Sequence, residues 1–594
     1  MEPANKPHAP ALTLKEFFSE TYSVPAYQRS FAWGIEECQQ LFLDLQDFAD
    51  SDDHYYFMGQ VIVSASTATE RYDLVDGQQR ATALLILLAA IREKFEMHPD
   101  KDSDQALKVW LSELNLLLVY SPGANQLSPR VRVAGDGPEL LNAMISKKTL
   151  PKTESFTREN ILGAYEEFTK LLDMHYPNVT KVPALYRKLA DGVILVRLEI
   201  QSHEEAIGVF ERINNRGLPL DSADLIKNTI FSKVNNADYE LISELWNKGS
   251  DTLHSSKISR IRSMGYLLRA MLAIETGQKV TDKALRDKWG LRLENRSIAI
   301  EFAKSLPDRA THLTRIGDGM NPNDKTLKNL NDGTKHFRFI QHFPILLAGH
   351  HLNPATYEYL ADLVEDRAIL SIAASERPQD FEKIVPAWSS SIHKLGKSSK
   401  DEDVYEQTQD LLADVNTLID RAEANFRSWR YTSSSERKRI RYVLARLSRE
   451  IQLELKEPHV PPLIEYLRRP TVNGKKKPKG YDLDHIRPQG KYGDLDLTHC
   501  VGNLALVSES DQRAAGDAEP IEKEPIYRIS SMILTQSLCA DVKGPEKRIK
   551  VLKKVWDKSP PSLENWTDKA ISSRTDMYWD LFKSSLLARL SPQN

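Results

Sequence analysis

The sequence predicts a helix-rich α+β protein with several domains. Its 594 residues, 41% of them hydrophobic, are enough for two to four domains with buried cores. Short strand patterns lie near both ends of the chain, whereas amphipathic helical patterns fill the middle. We therefore expect mixed sheet-and-helix domains at the two ends and a helical connector between them.

The domain boundaries follow from the same patterns. Residues 1–10, rich in proline and alanine, are expected to form a flexible tail. A mixed domain is expected over 11–235, with an insert of helical periods and polar breaks at 96–190. The helical connector takes 236–425, and a C-terminal domain takes 426–594.

Three strands are expected in the first domain. Residues 55–63, 71–75 and 192–200 are rich in β-branched and aromatic residues, and we expect them to lie together in one sheet.

Charge, cysteines and apolar runs restrict the class of protein. The net charge is only −3, so an enzyme acting on nucleic acid must concentrate its positive charge locally. Cys38, Cys500 and Cys539 are far apart and lack C-x-x-C spacing, which argues against a disulfide framework or a structural zinc. The longest apolar run, 83–91, is too short to cross a bilayer, and no secretion signal pattern is present. We therefore expect a cytoplasmic protein with no membrane contact.

The C-terminal domain contains the most informative motif. Asp484 and His485 are adjacent in 482–488, and Asn503 follows in 501–504. Hydrolysis of a phosphodiester needs a hard cation, an oxygen ligand for it and a base with a pKa near neutrality. Neighbouring side chains of a strand point to opposite faces, so Asp484 can bind Mg²⁺ while His485 faces the attacking water. Asn503 is then expected to orient the imidazole or to complete the metal site. For an isolated Asp-His pair, an ordinary turn with a surface histidine is the alternative.

The longer string Asp-x-Asp-His-Ile-x-Pro-Gln with a downstream asparagine resembles the HNH (ββα-metal) endonuclease motif. In particular, it resembles the C-terminal nuclease domain of GmrSD-like type IV, modification-dependent restriction enzymes, which defend bacteria against phages. The resemblance implies that His485 is the general base, Asp484 a ligand of Mg²⁺ or Mn²⁺, and Asn503 the middle asparagine of the motif. The last motif position, usually Asn or His, falls near Gln512. Gln512 or its neighbour Asp511 is therefore expected to complete the metal site.

A second motif lies near the N-terminus. A short strand at 71–75 is followed by the turn Asp76-Gly77, after which Gln78, Gln79 and Arg80 open an apolar helix. Strand, glycine turn and helix start form an anion site, in which backbone N–H groups face phosphates and Arg80 supplies a bidentate fork. A capped helix whose arginine makes a salt bridge is an equally weighted alternative.

Three N-terminal strings resemble the hallmark motifs of the N-terminal domain of the same enzymes. They are Pro-x-Tyr-Gln-Arg-x-Phe-x-Trp, Asp-Gly-Gln-Gln-Arg and the stretch 210–220. That domain is related to the ParB/sulfiredoxin fold, so the resemblance implies binding and hydrolysis of an NTP, with ATP, GTP or another left open. By position, the nucleotide pocket would comprise Gln28, Arg29, Asp76, Gly77, Gln78, Gln79, Arg80, Asn214, Asn215 and Arg216. No Walker A sequence is present, so hydrolysis would proceed without a P-loop.

A basic cluster precedes the C-terminal motif. Lys475, Lys476, Lys477 and Lys479 lie just before the proposed catalytic strand, and we expect them to contact DNA phosphates. A flexible, solvated loop is the alternative.

Together the motifs predict an NTP-dependent type IV restriction endonuclease that cleaves modified phage DNA. Its expected partners are double-stranded DNA with modified bases and a nucleoside triphosphate, and a homodimer is compatible with the sequence. Two alternatives stay open. One is an NTP-regulated DNA-binding switch whose nuclease site has decayed, and the other is a toxin-like ribonuclease.

Overall fold

The chain forms two compact units. The computed structural model describes residues 8–25, 28, 31–65, 72–123, 126–133, 137–146, 156–201, 205–206, 209, 222–320, 336–457, 460–467, 480–493, 497–539 and 563–591. The first unit comprises Met1–Ser255, Arg262–Gly265 and Asp282–Ala310, and the second comprises Ser256–Ile261, Tyr266–Thr281 and Thr311–Asn594. Residues 236–425, expected to form one connector, are thus shared between the two units.

The first unit is built around a mixed sheet. Its strands are β1 (Ala11–Thr13), β2 (Tyr22–Ser23), β3 (Tyr56–Ala65), β4 (Tyr72–Asp76), β5 (Val119–Gly123), β6 (Gln126–Pro129), β7 (Val131–Arg132) and β8 (Val193–Ile200). Six of them form one sheet in the order β1-β8-β3-β4-β2-β7, and β5 pairs with β6 separately.

The three strands expected from the sequence meet in this sheet. β3 lies in the middle, parallel to β8 on one side and antiparallel to β4 on the other. The sheet also begins earlier than expected. His8 forms a bridge with Glu199, and the carbonyl of Pro10 accepts a hydrogen bond from the Arg197 N–H at 2.9 Å. Residues 8–10 are therefore tied to β8, whereas the rest of the expected tail lies outside the described residues.

Helices make up most of the rest of the first unit. The helices that lie wholly or mostly in this unit are Leu14–Phe17, Ile35–Asp50, Gln78–Phe95, Gln105–Leu118, Gly137–Ile145, Phe156–His175, Val182–Gly192, Ser222–Lys233, Tyr239–His254, Asp282–Arg292 and Arg296–Gly317. The helix Gln78–Phe95 is buried on nearly all sides, as its continuous apolar sequence predicts for a central helix. It follows β4 directly, so the core fixes the position of its first turn.

The second unit is mainly helical. Helices wholly or mostly within it are Met264–Thr276, Phe343–Ala348, Pro354–Ala373, Pro378–His393, Asp401–Glu406, Val415–Ser428, Ser434–Glu454, Leu463–Leu467, Gln489–Tyr492, Glu509–Ala515, Glu524–Arg528, Ile533–Gln536 and Asp568–Leu590. Two strands, β9 (Tyr481–His485) and β10 (Leu504–Ser508), form an antiparallel pair. The helix Glu509–Ala515 follows β10 and begins at Ser508, whose Oγ accepts from the Asp511 N–H at 3.1 Å. The order strand, strand, helix is the one expected around the C-terminal motif.

Within the described part of the chain, no helix is both long and apolar enough to cross a membrane.

Candidate functional site

The C-terminal motif lies on β9, which is anchored to the helix Ser434–Glu454. The buried guanidinium of Arg441 donates to the carbonyl of Tyr481 at 2.6 Å and to the carboxylate of Asp482 at 2.5 Å. Along the strand, Asp484 is buried and His485 is half-buried. The alternation expected for a strand therefore places the two side chains on opposite faces.

Asp484 shares its carboxylate with a buried cation. Its Oδ2 accepts from the ammonium of Lys523 at 3.0 Å and from the hydroxyl of Tyr527. Lys523 is fully buried and also donates to the carbonyl of His485 at 2.6 Å. Burial raises the pKa of Asp484, while Lys523 and Tyr527 act to lower it. Sequence reasoning missed both partners, because they lie about forty residues from the motif in sequence.

His485 is surrounded by aromatic rings. Its Nε2 lies 3.2 Å from Nδ1 of His499, and its ring meets that of Tyr431 edge-on at 5.0 Å between centroids. Burial lowers the pKa of His485 to about 4, with further lowering by His499, Lys523 and Arg437. The imidazole is therefore neutral at pH 7 and able to accept a proton, but this pKa lies below the near-neutral value expected for the general base. The structure thus brings His499 to the imidazole of His485.

Asn503 does not reach this imidazole. It is fully buried, and its Nδ2 donates to the carbonyls of Arg487 at 3.1 Å and Thr498 at 2.7 Å. Its Oδ1 accepts from the Arg487 N–H at 2.9 Å and from the indole N–H of Trp566 at 2.8 Å. Both donors and both acceptor sites of the amide are thus in use. Asn503 fixes the connection between β9 and β10, and the expectation that it orients the imidazole or binds metal is wrong in this structure.

The expected third ligand, at Gln512 or Asp511, stays a prediction. Asp511 and Gln512 lie in the helix Glu509–Ala515, and neither forms a described hydrogen bond to Asp484 or His485. Asp517 is instead close enough to raise the pKa of both Asp484 and His485. Its carboxylate packs on Gly490, where a Cβ atom would be only 2.5 Å from Asp517 Oδ2.

Two carboxylates, those of Asp484 and Asp517, are the possible oxygen ligands for a divalent cation at this site. Lys523 and Tyr527 take Oδ2 of Asp484, whereas no hydrogen bond among the described residues uses its Oδ1. That oxygen and the Asp517 carboxylate are hard oxygen ligands of the type that Mg²⁺ and Mn²⁺ prefer, whereas imidazoles suit softer metals. Within the described residues, the ligand atoms of this site do not lie close enough together to form a group of three. Lys475, Lys476, Lys477 and Lys479 lie outside the described residues.

The N-terminal motif forms the junction between β4 and the helix Gln78–Phe95. Gly77 has φ of 86°, in the left-handed region, and a Cβ atom there would lie 2.5 Å from Val61 Cγ1. Only glycine satisfies both conditions. The Gly77 N–H donates to Asp76 Oδ1 at 2.8 Å, and burial raises the pKa of Asp76.

Gln28 and Gln78 meet beside this junction, as the sequence expected. Gln28 Nε2 donates to the carbonyl of Val75 at 2.8 Å, and Gln28 Oε1 accepts from Gln78 Nε2 at 3.1 Å. The ammonium of Lys227 donates to the backbone carbonyl of Gln28 at 2.8 Å. Burial lowers the pKa of Lys227 to about 8. We did not identify Lys227 from sequence, although a lysine among the apolar positions of the helix Ser222–Lys233 was a usable signal.

Gln79 and Arg80 have backbone partners. Gln79 Oε1 accepts from the Ala32 N–H at 2.7 Å. The terminal nitrogens of Arg80, which a bidentate phosphate fork would use, donate to the carbonyls of Met58 and Gln60, both at 2.8 Å. Arg80 therefore ties the helix start to β3, and its predicted phosphate contact stays a prediction. Within the described residues, Arg80 forms no salt bridge of the kind that the alternative requires. The remaining predicted nucleotide contacts, Arg29, Asn214, Asn215 and Arg216, lie outside the described residues.

Comparison with known proteins identifies part of the chain. Residues 14–231 match the family described as GmrSD restriction endonuclease, N-terminal domain. The segment contains β2 to β8 and the motifs of Gln28 and of Asp76–Arg80, so the predicted recognition is confirmed there. No curated protein matches the chain.

Proposed function

We propose that this chain, whose residues 14–231 carry the N-terminal domain of a restriction endonuclease family, is an NTP-dependent, modification-dependent endonuclease. Its reaction would be hydrolysis of a phosphodiester in modified phage DNA at the site of Asp484 and His485. The observation that carries the proposal is the pairing of a neutral, half-buried imidazole with a carboxylate on the opposite face of the same strand. That pairing supplies a base and a cation ligand within one short segment.

Each residue of the site has a separate task. His485 accepts the proton of the attacking water, and His499, 3.2 Å from its Nε2, holds the ring in one orientation. Asp484 and Asp517 would hold Mg²⁺ or Mn²⁺, which when bound would stabilise negative charge on the reacting phosphate. Lys523 bonds both Asp484 and the backbone of His485, so it fixes the two catalytic positions relative to each other.

A cleavage assay tests this assignment. His485→Ala should lower the rate of plasmid nicking with Mg²⁺ or Mn²⁺ by ~10²–10⁴-fold, the usual effect of losing a general base. NTP hydrolysis should stay near that of the wild type. His8→Ala, at an exposed histidine, is the matched control and should cut normally. Undiminished nicking by the His485 variant would remove His485 from the mechanism. Phage genomes carrying different cytosine modifications or phosphorothioate linkages, used as substrates, would identify the modification.

The nucleotide site is proposed at the junction of Asp76, Gln28 and Lys227. Asp76→Asn is the sharpest test, because an asparagine oxygen can still accept from the Gly77 N–H while the negative charge is lost. We expect an unchanged melting temperature and slower NTP hydrolysis with Mg²⁺, measured by phosphate release. Unaltered turnover would show that the Asp76 charge plays no part.

DNA contact by Lys475, Lys476, Lys477 and Lys479 is also proposed. Changing all four to Gln should weaken DNA binding without altering the modification preference, because phosphate contacts position the duplex and do not read bases. The slope of log affinity against log salt should shrink by up to about four units if all four reach phosphates. An unaltered slope would leave these lysines as a solvated loop.

A specific observation favours a second candidate, the NTP-regulated DNA-binding switch with a decayed nuclease. One oxygen of Asp484 is already bonded by an internal cation and a hydroxyl, and the expected third ligand at Gln512 forms no described hydrogen bond with it. NTP-dependent DNA binding without nicking under any divalent metal would establish the switch. Cleavage of single-stranded RNA but not duplex DNA in the same assay would establish the ribonuclease.

A further inference from the structure

A mixed aromatic and basic cleft lies in the second unit. It has a volume of about 560 Å³ and is lined by Phe337, Phe339 and Phe381, by Lys438 and Arg439, and by serines that include Ser434 and Ser435. We propose that it binds one unstacked nucleotide of the DNA substrate, with the base against the phenyl rings and the phosphate at Lys438 and Arg439. The inference rests on the proposed function, because it takes DNA to be the substrate.

The phenyl rings line the cleft and are held in place by packing against other side chains. Phe339 meets Phe381 edge-on at 5.0 Å between centroids, and Phe337 packs on Tyr442 at 5.1 Å. Behind Phe381, the fully buried guanidinium of Arg367 lies 5.4 Å from the ring centroid. Phe337 and Phe339 are only half-buried, so part of each ring faces the cleft. Any base can stack on such rings, since each base has a π-face.

Besides the phenyl rings, two cationic side chains line the cleft, Lys438 and Arg439. Lys438 is exposed, Arg439 is half-buried, and neither forms an ion pair within the described part of the chain. Burial lowers the pKa of Arg439, Glu436 acts to raise it, and the guanidinium lies 5.8 Å from the ring centroid of Trp429. A phosphate would add an anion close to this partly buried cation.

The acidic group on the rim is already neutralised. The carboxylate of Glu376 lies 3.0 Å from the guanidinium of Arg367. Arg377, also on the rim, is paired with Asp380 at 2.7 Å. The cations left for a ligand are therefore Lys438 and Arg439, which come from a single helix turn.

That turn also connects the cleft to the candidate nuclease site. The helix Ser434–Glu454 carries Arg437, whose charge acts on His485, and Arg441, which anchors β9. Lys438 and Arg439 lie between them in sequence and line the cleft. A nucleotide bound there would belong to the same DNA molecule whose backbone reaches His485.

Binding measured without cleavage tests the inference. Labelled single-stranded DNA and a duplex with one unpaired base would be titrated in EDTA, which prevents metal-dependent cutting, at several salt concentrations. Lys438→Glu, at an exposed position that folding does not require, should weaken binding severalfold and lower the salt slope by about 0.7 for single strands. Phe339→Ala should weaken binding about tenfold through lost stacking. Lys397→Glu, the same charge change at an exposed loop lysine of the same unit, should have no effect.

Crosslinking identifies the contact itself. DNA carrying 5-iodouracil at the unpaired position should crosslink on illumination to Phe337 or Phe339, as mapped by mass spectrometry. Wild-type binding by both the Lys438 and the Phe339 variants, in a protein that still cuts DNA, would overturn the cleft and leave the nuclease standing. A protein that neither binds nor cuts any DNA would overturn both. Competition by free mononucleotides as effective as that by DNA would assign the cleft to a free nucleotide and overturn the DNA assignment.

Discussion

Replacing Asn503 by alanine should destabilise the second unit strongly. The side chain is fully buried, and its amide makes four hydrogen bonds, to the N–H and carbonyl of Arg487, the carbonyl of Thr498 and the indole N–H of Trp566. Alanine removes all four and leaves two carbonyls and two N–H groups in the interior without these partners.

The expected loss can be worked from those groups. A buried polar group left without a partner costs roughly 1–3 kcal/mol. Four such groups give an upper limit of roughly 12 kcal/mol, but water entry and local shifts recover part of it. We therefore expect about 3–5 kcal/mol, the range of severe single substitutions. For a unit of this size, that corresponds to a decrease in melting temperature of roughly 10 °C.

Circular dichroism melting of the full chain, with a DNA cleavage assay alongside, measures both consequences. Asn425→Ala is the matched control, because its Nδ2 makes one described hydrogen bond, to the carbonyl of Ala373 at 3.1 Å. That variant should lose no more than ~1.5 kcal/mol. An Asn503 variant that melts like the wild type yet no longer cuts DNA would refute this reasoning, since the residue would then act in catalysis.

Three further substitutions test other parts of the molecule. Arg80→Ala removes charge-assisted bonds to the carbonyls of Met58 and Gln60, so the first unit should lose about 2–3 kcal/mol in urea unfolding, with slower NTP hydrolysis as a consequence. Burial lowers the pKa of Lys227 to about 8 from the ordinary 10.5, so the unfolded chain binds more protons between these values. The wild type should therefore gain stability relative to Lys227→Met as pH rises through that window, and parallel urea curves at pH 8 and 10 would contradict this. Burial also lowers the pKa of His342 to about 3 from 6.5, so the wild type should lose ~1.4 kcal/mol per pH unit, relative to His342→Phe, as pH falls below about 6. Equal acid sensitivity of the two proteins would show that His342 is not buried in its neutral form.

Local patterns predicted the elements that carry the motifs. The strands around 55–63, 71–75 and 192–200 were found within two residues of their expected bounds, because alternating apolar side chains and flanking turns are local signals. Asp484 and His485 were likewise expected on an extended segment, and both lie on β9. In both cases the controlling physics lies within about ten residues of the chain.

Long-range partners could not be predicted. Lys523 and Tyr527 bond Asp484 from about forty residues away, and Lys227 reaches Gln28 across 199 residues. Nothing in the sequence near either motif specifies which distant side chain will be packed against it. The roles of Asn503 and Arg80 were misread for the same reason, since their partners are backbone groups whose positions depend on the folded core.

Several motif residues are needed for folding, so the presence of the motifs does not by itself establish the activity of this chain. Gly77 is required by its φ of 86° and by contact with Val61, and Arg80 by two carbonyls of β3. In the C-terminal motif, Asn503 is held by four hydrogen bonds, and a Cβ atom on Gly502 would lie 2.1 Å from the carbonyl of Ile571. Folding alone would require these residues, even in a chain that had lost its catalytic activity. An intact motif therefore indicates the fold more securely than the activity. We expect the activity to depend instead on the few polar groups that folding does not explain, among them Oδ1 of Asp484, which accepts no hydrogen bond from the described residues, the imidazole of His485 and the carboxylate of Asp517.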